Sequence, residues 1–430
     1  MAYFPSKKYC NSSSIKEKNV LRKGKELILM KKSRFLSIGI LLLSLMLILT
    51  ACGGSPSTEG QPAGGNDSSD AEQKTASDKI KIMVVGPMTG DSANIGAHQL
   101  NGATLAAEEI NAAGGVNGAM IELEVGDDQA NPNQASILAE KIIVDDEILA
   151  VLGHINTGCS LSALPIYEKV NMPVISGTNT GDTICDEGYG NYFRIIASDS
   201  LNTKQQTYLA IKELGYSKPA LLWENTDYGK GMRDIAVKVL KEDFGITPVG
   251  DESYIPGVDR DYSAQITKFK GAGADVLLVL GEYTAGALIA KQNAALGLNA
   301  QIVTSNGCSN PQLIEIAGED AEGIYVMTGY DPNDPREKQQ TFTKNFLDKY
   351  GEEPGEWAAH AYDIVYLIKA AYENGGTTRE ALIDALHNLG AFDGVTGTIE
   401  FDERGDVPNK MVSMMKVEGG KFVTYIPEKF

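Results

Sequence analysis

The chain has 430 residues, of which 43% are hydrophobic and 22% charged, and its net charge is −19. Residues 1–34 carry a net charge of +8, so the remainder carries −27. Such an acidic protein is a poor partner for nucleic acid or for an anionic surface, and we expect neither. The length is sufficient for two α/β lobes of ordinary size.

The N-terminal part has the pattern of an export signal. Lys31, Lys32 and Arg34 precede an uncharged apolar stretch, 35–49. A basic cluster followed by about 15 apolar residues is typical of a secretory signal, and the stretch is shorter than the ~20 residues of a membrane span. The sequence therefore predicts an exported protein.

Cys52 ends the segment Leu-Thr-Ala-Cys, which resembles the bacterial lipobox. The resemblance implies that Cys52 is lipidated and becomes the first residue of the mature protein, anchored by its acyl chains. We predict that 30–51 is the signal peptide and that 1–29 is a mis-assigned extension upstream of a true start at Met30. Residues 52–78 contain no bulky apolar side chain and are predicted to be a flexible linker.

From Ile80 onward, short apolar runs alternate with stretches of helical periodicity. The runs IKIMVVG, IELEVGD, ILAVLGH and MPVIS are separated by GAHQLNGATLAAEEINAAGG, NPNQASILAEKIIVDD and CSLSALPIYEKV. A second series follows, with KPALLWE, DVLLVLG and QIVTS as its apolar runs. The C-terminal segments GTIEFDERGDV and MVSMMKVEGGKFVTY have the pattern of antiparallel strands. This alternation predicts an α/β protein with two doubly wound lobes and a ligand cleft between them.

An ordered series of motifs resembles the branched-chain amino-acid class of periplasmic-type solute-binding proteins of ABC transporters. The series comprises VVGPMTGDSANIGAHQLNGATLAAEEINAAGGVNG, GDDQANPNQA, LGHINTGCS, PVISGTNT, NTDYGKGM and AEGIYVMTGY. The resemblance implies a type I periplasmic-binding-protein fold whose lobes are joined by a three-segment hinge. It places lobe 1 at 79–198 plus 329–408 and lobe 2 at 199–328 plus 409–430.

The loops LGHINTG and ISGTNT follow apolar runs and lead into helices, where free backbone N–H groups favour an anion. The resemblance implies that Thr157, Thr178 and Thr180 bind the carboxylate and amine of an amino acid, with Asn156 beside them. The alternative is that these threonines only cap helices or satisfy turns. Tyr228 matches an aromatic residue that contacts the ligand from lobe 2.

Two positions depart from the family pattern around the ligand ammonium. The usual acidic residue is replaced by the neutral Asn306, and Glu282 stands where relatives often have tyrosine. Either the acid has moved from one strand end to the next, or Glu282 is a solvated loop residue and the ligand lacks an ammonium. Ile95 stands where relatives often carry an aromatic residue, which changes the shape of the pocket.

The cysteines and histidines indicate neither metal nor catalytic chemistry. No CxxC or HExxH pattern occurs, and we expect no metal, no cofactor and no enzymatic activity. His154 is predicted to be a structural hydrogen-bonding residue, and Cys308 to line the pocket wall. Cys159 and Cys185 are the pair nearest in sequence, and a disulfide between them is as compatible with the sequence as two free thiols.

The favoured function is a lipid-anchored, monomeric receptor outside the cytoplasmic membrane. It would bind a branched-chain or other aliphatic amino acid and deliver it to an ABC permease driven by a cytoplasmic ATPase. The alternatives are an aromatic or short organic acid or an amide as ligand, or a sensor that uses the same cleft.

Overall fold

A computed structural model describes residues 79–429 and contains fourteen strands in that range. The predicted export signal, the lipidation site and the linker to residue 78 lie outside the described residues. The strands are β1 (Lys79–Gly86), β2 (Met120–Asp127), β3 (Ile148–Leu152), β4 (Val174–Ser176), β5 (Tyr192–Arg194), β6 (Pro219–Glu224), β7 (Gly250–Tyr254), β8 (Val276–Leu280), β9 (Gln301–Thr304), β10 (Tyr325–Thr328), β11 (Phe392–Gly394), β12 (Gly397–Ile399), β13 (Ser413–Glu418) and β14 (Lys421–Tyr425).

The strands form one sheet in each of two lobes. The first sheet has the order β2-β1-β3-β4-β5, and all its pairings are parallel. The second has the order β14-β13-β10-β9-β8-β6-β7, in which β6 to β10 are parallel and the last two strands are antiparallel. The predicted antiparallel tail is therefore confirmed, and β11 and β12 form a separate hairpin.

Helices connect the parallel strands, as the alternating sequence pattern predicts. They are α1 (Ala93–Ala112), α2 (Pro132–Ile142), α3 (Thr157–Tyr167), α4 (Asp182–Asp186), α5 (Asp199–Tyr208), α6 (Asp227–Phe244), α7 (Ser263–Ala272), α8 (Tyr283–Ala295), α9 (Pro311–Ala317), α10 (Glu337–Tyr350), α11 (Glu356–Glu373) and α12 (Arg379–His387). Their starts follow local chemistry. For example, the Asn131 side chain accepts from the N–H groups of Asn133 and Gln134, with Pro132 at the first turn of α2.

Both faces of each sheet are buried, which is why the central strands are apolar along their whole length. On one face of the first sheet, Ile82 and Val84 pack with Ile364 and Ile368 of α11. The opposite face packs Val85 and Val151 against α2 and α3. The second sheet is covered in the same way by two further clusters. Parallel strands covered on both faces are the doubly wound arrangement predicted from the sequence.

The chain passes between the lobes three times. It leaves the first sheet after β5, returns after β10 to supply α11, which packs on α1, and leaves again after β12 to add β13 and β14. The lobe bounds at 198, 328 and 408 stay a prediction at the level of single residues. Within 79–429, none of the helices combines the length and the apolar character needed to cross a bilayer.

Candidate functional site

The predicted site loops lie at the carboxyl ends of parallel strands, which meet along one edge of each sheet. In the first lobe, β3 and β4 end just before the loops that carry Thr157 and Thr178. In the second lobe, β6, β8 and β9 end just before Tyr228, Glu282 and Asn306. The two edges face each other across a cleft.

A small cavity of about 30 Å³ lies between the lobes, large enough for a water molecule or two at roughly 10–15 Å³ each. It is lined by Ile95, Ile155, Asn156, Thr157, Thr178, Tyr228, Glu282, Asn306, Gly307 and Trp357. Seven of the eight predicted ligand-binding residues are therefore brought together, and Thr180 is the one outside this lining. The cavity is too small for an amino acid, which fits only if the lobes separate or the lining side chains change position.

A larger outer cleft of about 730 Å³ adjoins this inner cavity. The two share Asn156, Thr157, Tyr228 and Glu282 in their linings. Most of the other residues that line the outer cleft are polar, whereas the smaller chamber includes the apolar side chains Ile95, Ile155 and Trp357.

Glu282 links the two lobes through both carboxylate oxygens. Ser92 Oγ donates to Oε2 at 2.6 Å, and Asn156 Nδ2 donates to Oε1 at 3.1 Å. Removal from water raises the pKa of Glu282, while these two hydrogen bonds oppose the rise. Glu282 is therefore directed into the cleft rather than being a solvated loop residue.

Tyr228 and Asn306 are joined within the second lobe. The Tyr228 hydroxyl donates to Asn306 Oδ1 at 3.1 Å, lies 3.3 Å from Ser305 Oγ, and accepts from the Gly307 N–H at 3.3 Å. Burial raises the pKa of Tyr228 well above its usual value of 10. The hydroxyl thus stays protonated and fixes the orientation of the Asn306 amide.

The threonines of the first lobe occupy distinct environments. Thr157 begins α3, where the Asn156 side chain makes no capping bond, so first-turn N–H groups stay available for a ligand. Thr178 Oγ1 donates to the His154 carbonyl at 3.3 Å. The Thr180 carbonyl accepts from Asp199 N–H at 2.7 Å, while the Thr180 hydroxyl is buried without a partner among the described residues.

The sequence reasoning missed three cavity residues and one charged neighbour. Ile155, Gly307 and Trp357 line the inner cavity, and Glu224 lines the outer cleft. Glu224 is the final residue of the apolar run KPALLWE, and an acid that ends a buried strand was the available signal. Trp357 had no such signal, because its position depends on how α11 packs.

The structure answers one question that the sequence left open about the cysteines, and it corrects one prediction. Cys159 and Cys185 are separate free thiols, each buried in the apolar cluster beneath β3 and β4, so the disulfide is not formed. Nearness in sequence did not orient the two side chains for a bond. Cys308 does not line the inner cavity; it is buried in the second-lobe core, and its Sγ contacts the Gly281 carbonyl at 3.5 Å.

His154 has the structural role predicted for it. Its Nδ1 lies 2.7 Å from Asp128 Oδ2 and its Nε2 lies 3.1 Å from the Tyr167 hydroxyl. With both ring nitrogens occupied, His154 is not available as a base for a cysteine nucleophile. No group of three or more His, Cys, Asp or Glu side chains suited to a metal ion occurs in 79–429.

Comparisons with known proteins agree with this architecture. Residues 79–421 match the periplasmic binding protein family. The chain is 32% identical over 340 residues to the leucine-, isoleucine-, valine-, threonine-, and alanine-binding protein of Pseudomonas aeruginosa, covering 79% of this chain and 90% of that protein. It is also 32% identical over 351 residues to Leu/Ile/Val-binding protein homolog 3 of Brucella melitensis, covering 80% and 93%.

Among solved structures, the branched-chain amino acid transporter substrate binding protein LivJ of Streptococcus pneumoniae, in complex with isoleucine, superposes with a TM-score of 0.75. It is 30% identical and is covered completely by 81% of this chain. Two doubly wound lobes around a lined cleft define a type I solute-binding protein. The chain belongs to the periplasmic binding protein family.

Proposed function

We propose that the protein is the solute receptor of an ABC importer and that it binds an aliphatic amino acid between its lobes. The observation that supports this most is the mixed lining of the inner cavity. Hydroxyl groups and an uncapped helix start lie on one side, a carboxylate lies on the other, and Ile95, Ile155 and Trp357 supply apolar surface. These match the carboxylate, ammonium and side chain of such a ligand.

Glu282 is the proposed partner of the ammonium group. It is the acidic residue of the inner lining, and the neutral Asn306 beside it is held by Tyr228. A charge-assisted hydrogen bond in a closed cleft is stronger than a neutral one. The proposed acidic partner, Glu282, therefore follows β8 rather than the neighbouring strand β9, and the positive charge of the ammonium group is still neutralised.

The carboxylate is proposed to bind where α3 begins. Thr157 contributes its hydroxyl and the first amides of the helix, whose positive end favours an anion. Thr178 lines the same cavity, and Thr180 is proposed as a further ligand contact because its buried hydroxyl has no partner among the described residues. The relatives named for leucine, isoleucine and valine support an aliphatic side chain.

Binding is tested by thermal unfolding of residues 78–430, first unfolded and refolded to remove carried ligand. Leucine, isoleucine and valine are compared with their des-amino analogues and with small aromatic acids. A ligand at 100 times its Kd stabilises the fold by about 2.7 kcal/mol. We expect an aliphatic amino acid to raise Tm, its des-amino analogue to have little effect, and Glu282→Gln to abolish the shift.

A matched control is Glu242→Gln, an exposed glutamate of α6 in the same lobe, which should keep the full ligand-induced shift. A shift produced only by des-amino or aromatic acids would overturn the amino-acid assignment. A shift that survives Glu282→Gln would instead assign the ammonium to another group.

Anchoring and delivery are part of the same proposal. Lipidation of Cys52 would hold the receptor outside the cytoplasmic membrane, and the linker to residue 78 would let it reach a permease coupled to a cytoplasmic ATPase. The relatives are named as binding proteins, which supports a receptor without catalytic activity, and we propose that it acts as a monomer. Metabolic labelling with an alkyne fatty acid should mark the wild type, whereas Cys52→Ala should stay unlabelled.

A further inference from the structure

Two glutamates stand side by side on the second-lobe wall of the cleft. Glu224 ends β6, and Glu282 follows β8, which is the parallel neighbour of β6. The register pairs Trp223 with Leu280, so each glutamate lies within two residues of a paired position. Both line the outer cleft, and Glu282 also lines the inner cavity.

Glu224 is buried, with 3% of its surface exposed, and half of its carboxyl has no partner. Oε1 accepts from Thr226 Oγ1 at 2.7 Å, whereas Oε2 has no hydrogen bond within the described part of the chain. A buried carboxyl oxygen without a donor is costly, and it marks a place where a ligand group or a proton is needed.

The backbone of Gly281, which precedes Glu282, lies close to polar atoms of Glu224 and Tyr254. A Cβ on Gly281 would lie 3.0 Å from Glu224 Oε2 and 1.9 Å from the Tyr254 hydroxyl. The Tyr254 hydroxyl is likewise buried without a partner among residues 79–429. Any larger residue at position 281 would clash with the Tyr254 hydroxyl and crowd Glu224 Oε2.

The surrounding charges make a doubly ionised pair unfavourable. Asp199 at the start of α5 is buried, with both carboxyl oxygens unpartnered among the described residues, and its negative charge raises the pKa of Glu224. The negative charge of Asp91 raises the pKa of Glu282, although Arg260 pairs with Asp91 across the cleft. Tyr228 and Tyr254 face the same region and stay neutral. No cation among these neighbours contacts Glu224 directly.

We propose that Glu224 and Glu282 share one proton in the unliganded protein and release it to solvent when the ligand's ammonium group binds beside them. The inference rests on the proposed amino-acid ligand. Glu224 then acts as a second carboxylate for the ammonium group, which has three N–H donors. The positive charge of the ammonium group replaces that of the released proton.

The energetics agree with this geometry. Burial, and after it the neighbouring charge of Glu282, together raise the pKa of Glu224 to about 8. A carboxyl pair that interacts this strongly titrates as a unit, with one proton retained near neutrality. An ammonium in the cleft lowers the pKa of the pair, so the proton leaves on binding.

The test is titration calorimetry with isoleucine at pH 7 in buffers of different ionisation enthalpy. We expect the wild type to release close to one proton, and its Kd to fall by up to tenfold per pH unit between pH 6 and pH 8. Glu224→Gln should release no proton and lose this pH dependence. Glu242→Gln, on the exposed face of α6, should behave like the wild type.

An infrared difference spectrum of the wild type keeps the test independent of how the variant folds. Addition of isoleucine should remove a protonated-carboxyl band and add a carboxylate band. Binding without proton release and without loss of that band overturns the shared proton but leaves the receptor function intact. If no amino acid binds to the wild type, the receptor proposal fails, and the inference fails with it.

Discussion

At the scale of single residues, the hinge contains a carboxyl group that is neutral near physiological pH. Glu356 at the start of α11 is 1% exposed, and its Oε1 accepts from the Gly329 N–H at 2.8 Å, just after β10. Burial raises the pKa of Glu356 to about 8, although Lys410 opposes the rise. His360 Nδ1 lies 2.8 Å from the Glu356 carbonyl, and burial lowers the pKa of His360 to about 3. Glu356 and His360 are therefore both uncharged at the crossing point between the lobes.

Glu356→Gln should stabilise the protein increasingly as the pH rises. The folded protein holds a proton on Glu356 that the unfolded chain loses near 4.5, so this contribution is present below pH 4.5 and is lost as pH rises to about 8. The amide keeps an oxygen for Gly329 and never ionises. Relative to wild type, its free energy of unfolding should gain up to about 1.4 kcal/mol per pH unit in this window. Urea unfolding at pH 5, 6.5 and 8 measures it.

Glu353→Gln is the control for this experiment, because Glu353 lies three residues earlier and is exposed. Its free energy of unfolding should track that of the wild type at each pH. A Glu356→Gln difference that stays constant with pH would show that the carboxyl is ionised in the folded state.

At the scale of secondary-structure elements, α1 and α11 approach each other at a glycine. A Cβ added at Gly102 would lie 2.0 Å from the Ala358 carbonyl oxygen. Backbone contact of this kind fixes the position of α11, and with it Trp357 at the inner cavity. A helix that packs on α1 therefore shapes the ligand chamber.

Gly102→Ala should destabilise the protein, since overpacking costs about 1–3 kcal/mol. This exceeds the gain of up to ~1 kcal/mol in helix propensity. The matched control is Gly271→Ala in α7, where nothing lies within 4 Å of the added Cβ, and this variant should be slightly stabilised. Denaturant unfolding measures both; equal effects in the two helices would show that α1 and α11 separate easily.

The sequence predicted the strand–helix alternation, the two sheets and most of the cavity, because parallel strands place their following loops along one edge. Thr157 and Thr178 are of this kind, whereas Glu282 was placed at the site by the resemblance to the family. Trp357 was not predictable, because its place depends on tertiary contact between α11 and α1. The state of Cys159 and Cys185 stayed open at the level of sequence for a related reason, since side-chain direction within a packed core is not set by spacing along the chain.

At the scale of the whole molecule, few polar contacts cross the mouth of the cleft. Asp91 of the first lobe forms an ion pair with Arg260 of the second, and the side chains of both are 46% exposed. Deeper in, Glu282 accepts from Ser92 and Asn156, and Asn310 Nδ2 donates to Asn94 Oδ1 at 2.7 Å. Closure therefore depends on a small set of links, each of modest strength, and a ligand that touches both lobes can shift it.

Arg260→Gln should shift the unliganded protein toward the open arrangement. An exposed ion pair contributes about 0.2–1 kcal/mol, so the ratio of closed to open molecules should fall by up to about fivefold. Small-angle scattering should show a larger radius of gyration, which returns to the wild-type value with saturating ligand. Arg233→Gln removes an ion pair with Asp251 inside one lobe and should leave the radius unchanged. An unchanged radius in Arg260→Gln would mean that the deeper contacts alone set closure.

The three passages of the chain between the lobes also determine when folding can finish. The first lobe receives α10, α11 and α12 only after the sheet of the second lobe has begun, and that sheet is completed by β13 and β14. Glu213 accepts from the N–H groups of Glu428 and Lys429, more than 200 positions later. Because contacts of such long separation form slowly, we expect both cores to close late in folding. A chain with this connectivity is expected to stay incompletely folded for longer than one whose lobes are each a single continuous segment, which would suit a protein that crosses a membrane before it folds.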